Sequence, residues 1–149
     1  MLLTTTIRKS THRSAFTLLE VLVVVAILVI LASVATVATT RYLDDAKKSR
    51  AHLGCKGISQ AVEAYVTNPA NPNSDQPGTL QDLIQPPFGG PSFLRNGLDD
   101  TRTPWNNEQY TMEQATRSDN TTYMLVWTKA PDSTEISQFG IGPNARPKY

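Results

Sequence analysis

Few residues in this 149-residue chain could do chemistry, and the most telling is a carboxylate in an apolar setting. Glu20 stands just before Val21–Thr40, a run of about 20 residues without charge, which at about 1.5 Å per residue spans a bilayer core. A carboxylate near hydrocarbon costs roughly 2.5–3.5 kcal/mol on insertion scales, less towards the interface, so it needs a partner. The upstream cations Arg8, Lys9 and Arg13 miss the i−3 and i−4 positions that would pair with it on a helix. Cleavage between Ala15 and Phe16 would create such a partner, an α-amino group at the helix start, on the same chain or a neighbour.

The other candidates for chemistry are sparse. Cys55 is the single cysteine, and His12 and His52 are the two histidines. The usual zinc arrangements need more ligands than these, and Ser/His or Cys/His catalysis would rest on His52 with no evident partner. The chain is therefore expected not to be an enzyme. Cys55 reads as a small core residue, and His52 as a solvated side chain opposite the apolar face that Cys55 shares. Trp105, Tyr110, Tyr123 and Trp127 read as core and sheet packing more readily than as a platform for sugars or bases.

Three of the 14 Lys and Arg residues and none of the 13 acids lie in residues 1–15, so the remainder carries 11 cations against 13 anions. That balance argues against a nucleic-acid partner. The basic leader keeps the N-terminus cytoplasmic and sends the C-terminal part across the membrane. We read residues 1–15 as leader, 16–40 as a transmembrane and assembly helix, and 41–149 as one exported globular domain.

Arg8-Lys9-Ser10-Thr11-His12-Arg13-Ser14-Ala15 followed by Phe16-Thr17-Leu18-Leu19-Glu20 resembles the class III signal of type IV pilins and pseudopilins. Ala15 stands where that family usually has Gly. The resemblance implies a prepilin peptidase that cuts between Ala15 and Phe16 and methylates the Phe16 amine. It implies that Glu20 pairs with a neighbouring subunit's amine during assembly, and that Leu18, Leu19, Val21, Val24, Leu28 and Leu31 pack helix against helix. Two rival readings stay open. One is an ordinary signal anchor, and the other is a secretory signal peptide cut after Ser33-Val34-Ala35 or Thr36-Val37-Ala38. Both leave Glu20 and the preceding Phe-Thr-Leu without a role.

Beyond the apolar run, Ala51, Cys55, Ile58, Val62 and Tyr65 recur at helical spacing, so one helix is predicted from Phe16 to about Thr67, ended by Asn68-Pro69. Gly54 and Gly57 each weaken it by roughly 1 kcal/mol, leaving packing to hold this half. Residues 68–78 read as a polar loop. A short helix starts at Thr79, with Asp82 three residues on, and stops at Pro86-Pro87. Residues 88–103 read as irregular. Strands are predicted over Gln109–Glu113, Thr121–Thr128 and Glu135–Ile141. The fold class is thus α+β, a long helix packed on a small antiparallel sheet of about three strands.

That order is similar to the major pseudopilin of type II secretion systems. Pro104-Trp105-Asn106-Asn107 followed by Tyr110 resembles its turn into the sheet, and Phe139-Gly140-Ile141-Gly142-Pro143-Asn144 its last strand end. The resemblance implies a homopolymer with other pseudopilins and an inner-membrane assembly platform. It also implies a single-pass inner-membrane protein with a periplasmic domain, which becomes a periplasmic pseudopilus after assembly. That family usually binds calcium in an acidic loop near the C-terminus. Calcium takes six to eight oxygens with several carboxylates, whereas this chain has no Asp or Glu after Glu135, and Asp99-Asp100 and Asp132 lie elsewhere. No cofactor and no metal are expected, calcium staying the one alternative that the resemblance keeps open.

Overall fold

The computed structural model describes residues 16–105, 107–117 and 119–147. The leader, with Ala15, lies outside the described residues, as does Asn106 of the Pro-Trp-Asn-Asn turn. Helix α1 runs Leu18–Val66 and α2 Leu80–Ile84, and a 3-10 turn covers Gly97–Thr101. Strands β1 (Thr111–Thr116), β2 (Thr122–Lys129) and β3 (Glu135–Ser137) follow, then a 3-10 turn at Gly142–Asn144. The chain divides into two compact units between Arg41 and Tyr42.

In the second unit the architecture is α+β, with α1 packed on a three-stranded antiparallel sheet of order β1-β2-β3. The predicted helical stripe is the one that packs. Ala51, Cys55, Ile58, Val62 and Tyr65 are all buried and join Val126, Ile136 and Tyr110 in one core. Burying a side chain such as Ile58 contributes about 1.5–3 kcal/mol, which outweighs the propensity cost of the two glycines. Gly54 also has a packing reason. A Cβ there would fall on the Tyr110 hydroxyl and lie 2.7 Å from Tyr110 Cζ, so only glycine lets this ring rest against the helix.

His52 corrects the sequence reading. It is half-buried, and its Nδ1 lies 2.7 Å from the Ser137 carbonyl oxygen. A carbonyl only accepts, so Nδ1 carries the proton and donates. The ring flanks the buried stripe, where β3 comes up against α1, and Cys55 Sγ donates to the next carbonyl, Ile136, at 3.7 Å.

The second helix starts as expected. The Asp82 carboxylate accepts from the backbone N–H of Thr79 at 2.8 Å and of Gly78 at 2.9 Å, holding the first turn. Leu83 is fully buried, with Leu80 and Ile84 packed beside the core. The rings of Tyr65, Phe88 and Phe93 stack against one another at centroid separations of 4.9 to 6.2 Å. The polar loop before α2 has its own anchor, which composition does not reveal. Asn71 is buried, its amide donating to the Tyr65 and Asp75 carbonyls and its oxygen accepting from the Asp75 N–H.

The strand boundaries differ from those predicted, for identifiable reasons. β1 begins at Thr111 and not Gln109, because Gln109 bridges Arg102 and the Tyr110 N–H donates to the Thr101 carbonyl. It extends to Thr116, which pairs with Thr122, and the Arg117 N–H beyond it donates to the Thr121 carbonyl. β2 is shifted by one residue, Thr122–Lys129. β3 ends at Ser137, not Ile141. The Ser137 N–H donates to the Gly140 carbonyl, and the chain reverses so that Ile141 bridges Ile136. A Cβ on Gly140 would meet Asn144 at 2.9 Å.

The two hairpin loops share a device. Asp119 Oδ1 accepts from the Thr121 N–H and Asp132 Oδ1 from the Thr134 N–H, while Asn120 and Ser133 between them take positive φ. Asp132 also ties its loop to α1 through Lys48 Nζ at 2.5 Å.

Two stability predictions follow from these contacts. Gly54→Ala lowers stability by about 1–3 kcal/mol through overpacking against Tyr110, measured by thermal unfolding of the full chain in detergent. The Lys48 hydrogen bond, followed by those from Thr134, holds the Asp132 carboxyl down at about 2, against 3.8 ordinarily. A depressed folded-state value means that the ion pair stabilises the fold above pH 3.8 and loses this contribution as pH falls through about 2. Asp132→Asn therefore melts slightly below the wild type at pH 7, and the gap closes on acidification between those two values. An unchanged gap at the acid end would remove the ion pair as its cause.

Candidate assembly site at the start of the long helix

Phe16 and Thr17 precede α1, and Thr17 caps it. The Glu20 N–H donates to Thr17 Oγ1 at 3.2 Å, and the Thr17 carbonyl accepts from Glu20 and Val21. This is a side-chain cap on the third helical N–H. The sequence reading overlooked it, although the Thr-x-x-Glu spacing of Thr17 and Glu20 is a readable helix-start signature. The cap places Glu20 in the first turn, where the unpaired N–H groups make the helix end electropositive and favour a carboxylate. The fold thus brings the predicted Glu20 together with Thr17, a residue to which the sequence reading gave no role. Among the described residues, no side-chain cation pairs with Glu20.

The predicted packing residues point outward. Leu18, Leu19, Val21, Val24, Leu28 and Leu31 are each more than half exposed, as is Phe16. Val21, Val24, Leu28 and Leu31 follow one another at spacings of three, four and three, which lines them along one side of the helix. Their exposure in a single chain leaves a large apolar surface to be covered by lipid or by other helices. Among the described residues, α1 is the one helix long and apolar enough to cross a membrane.

Its polar side chains are accommodated internally. Ser33 donates to the Ile30 carbonyl at 2.7 Å, and Thr36 and Thr39 donate to Ala32 and Ala35 at 2.9 Å. Hydroxyls satisfied in this way enter hydrocarbon at little cost. With Ala26, Ala32 and Ala35 they also keep the helix surface low, which permits close approach of a second helix.

Among the described residues outside this helix start, the other sequence-predicted candidates do not assemble a comparable site. Burial pushes the Cys55 thiol up to about 12, so it stays protonated and inert near neutral pH. The His52 ring is tied to a backbone carbonyl. Trp105 and Tyr110 are buried in the core, while Tyr123 and Trp127 lie on the opposite face of the sheet.

Residues 10–36 match a protein-family model described as the prokaryotic N-terminal methylation motif. Comparison with curated proteins and with solved structures gave no match. The matched segment contains Ala15, Phe16, Thr17 and Glu20 together with most of the charge-free run. The chain thus carries a type IV pilin-like prepilin signal, and this signal supports a subunit of the type IV pilin and pseudopilin family.

Proposed function

We propose that this protein is a structural subunit of a type II secretion pseudopilus, polymerising through α1 to drive protein export across the outer membrane. The observation that carries the reading is Glu20, an exposed carboxylate without an ion-pair partner among the described residues, at the head of a charge-free exposed helix. In the pathway we infer, the pre-protein waits in the inner membrane with its domain in the periplasm. Prepilin peptidase cuts between Ala15 and Phe16 and methylates the Phe16 amine. The inner-membrane assembly platform then moves α1 from lipid into a bundle of like helices. There Glu20 fixes axial register, since an unpaired carboxylate in a dry core costs several kcal/mol, while Leu18, Leu19, Val21, Val24, Leu28 and Leu31 supply packing area.

The secretion role is favoured over a type IV pilin or minor pseudopilin by three features. These are the short domain, the single cysteine that excludes a C-terminal disulfide loop, and the Pro104-Trp105-Asn106-Asn107 turn. Cys55 is moreover buried in the core and unpaired.

Glu20→Ala is expected to leave cleavage and membrane insertion intact and to abolish fibres, read by electron microscopy of sheared material. Cysteine crosslinking near Phe16 reports the same loss as a ladder reduced to monomer. Normal fibres from the variant would overturn the role given to Glu20, and absence of ladders in the wild type would leave a monomeric anchored domain. The intact mass of protein from membranes containing prepilin peptidase should begin at Phe16 and carry one added methyl group. A mass beginning at Thr36 or Thr39 would identify a secretory signal peptide instead.

A further inference from the structure

The C-terminal segment after β3 crosses the face of the sheet that is turned away from α1. Register puts Glu113 of β1, Leu125 and Trp127 of β2, and Glu135 and Ser137 of β3 on that face. Leu125 is 2% exposed although it lies on the far side from the helix, so the segment forms a second cover over the strand. One side chain spans all three strands. Arg146 Nε donates to Glu135 Oε1 at 2.6 Å, its terminal nitrogen lies 3.7 Å from Glu113 Oε1, and its guanidinium sits 5.7 Å from the Trp127 ring centroid. Outer strands of a three-stranded sheet stand about 10 Å apart, a gap a planar five-donor fork can bridge. Beside it the Ser137 hydroxyl donates to the Ala145 carbonyl, and both residues are buried. Trp127 Nε1 is buried without a hydrogen-bond partner among the described residues, so stacking and cover hold this ring.

The residues here do not fit the calcium ion implied by the resemblance to the major pseudopilin. Among the described residues, no group of three or more His, Cys, Asp or Glu side chains could hold a metal ion. The two carboxylates on this face, Glu113 and Glu135, are both engaged by the guanidinium. A divalent ion would need several carboxylates converging on one point.

We propose that Arg146 is the cation that locks the C-terminal segment across the sheet, so that a guanidinium fork fills the structural role of a divalent ion. The lock joins β1, β3 and the segment, and it is independent of whether the protein polymerises. Its strength depends on ionic strength, because both ends of the bridge reach solvent.

The test is hydrogen exchange of the amides in residues 139–147, with thermal unfolding, on the full chain in detergent. In the wild type both readouts should be unchanged by EDTA and by added calcium. Arg146→Gln should speed exchange in that segment roughly tenfold, the loss expected for hydrogen bonds to a charged group. About 1 M salt should move the wild type toward the variant. Arg146→Lys retains the charge without the fork and should fall between the two, which keeps the question answerable if the glutamine variant fails to fold. Faster exchange of the wild type in EDTA, or slower exchange with calcium, would make a metal ion the lock and overturn the proposal. Wild-type exchange in either variant would overturn it as well.

Discussion

A carboxylate at the head of an apolar helix is the constraint on which the first unit depends. Hydrocarbon solvates neither a lone charge nor an unpaired backbone group. The backbone requirement is met within α1, by the Thr17 cap at its start and by hydroxyls folded back onto carbonyls at Ser33, Thr36 and Thr39. The charge requirement is not met by any described side chain. Glu20 gains from the electropositive helix end, an interaction typically worth 0.3–1 kcal/mol. A carboxylate costs roughly 2.5–3.5 kcal/mol at the membrane centre and less toward the interface, so the more deeply Glu20 is placed among apolar groups, the more a full positive charge beside it is favoured.

The second unit is organised around a strand covered on both sides. β2 contributes Val126 to the core against α1 and Leu125 to the opposite face, and each is at most 2% exposed. An antiparallel sheet of three strands usually leaves one face to water. Here the chain after Ser137 turns back, guided by the Gly140 contact with Asn144, and lays Ala145 and Arg146 over the outer face. A domain this small has little area to bury. Covering both faces of its central strand increases that area without lengthening the sheet.

Periodic features were legible in the chain, and features set by distant contacts were not. The stripe from Ala51 to Tyr65 is encoded by spacing alone, and every member is buried. Thr79 and Asp82 mark the start of α2 by residue type. The end of β3 differs from the expected Ile141 because the bond from the Ser137 N–H to the Gly140 carbonyl, a contact that residue types do not announce, ends the strand. His52 lies off the apolar stripe, so helical spacing pointed it to solvent, whereas the approach of β3 supplies a carbonyl acceptor. Asn71 and Arg146 act through partners that no local pattern announces. The Thr17 cap, by contrast, was within reach of sequence reasoning, since Thr-x-x-Glu is a local signal.

In the proposed reading, this arrangement makes proteolysis the control point of assembly. A peptide nitrogen between Ala15 and Phe16 is an amide and carries no charge, so the uncut chain has nothing at that position to neutralise a carboxylate. Cutting converts the same nitrogen to an amine whose ordinary pKa, about 7.7–8.0, makes it substantially cationic at neutral pH. Methylation keeps the nitrogen basic and therefore leaves the charge in place. One bond cleavage thus creates the charge that Glu20 lacks. The membrane half of the helix, apolar and exposed at its described positions, supplies attraction without register. Register then falls to the single polar pair, because sliding one helix past another by a turn would preserve most apolar contact while separating the charges.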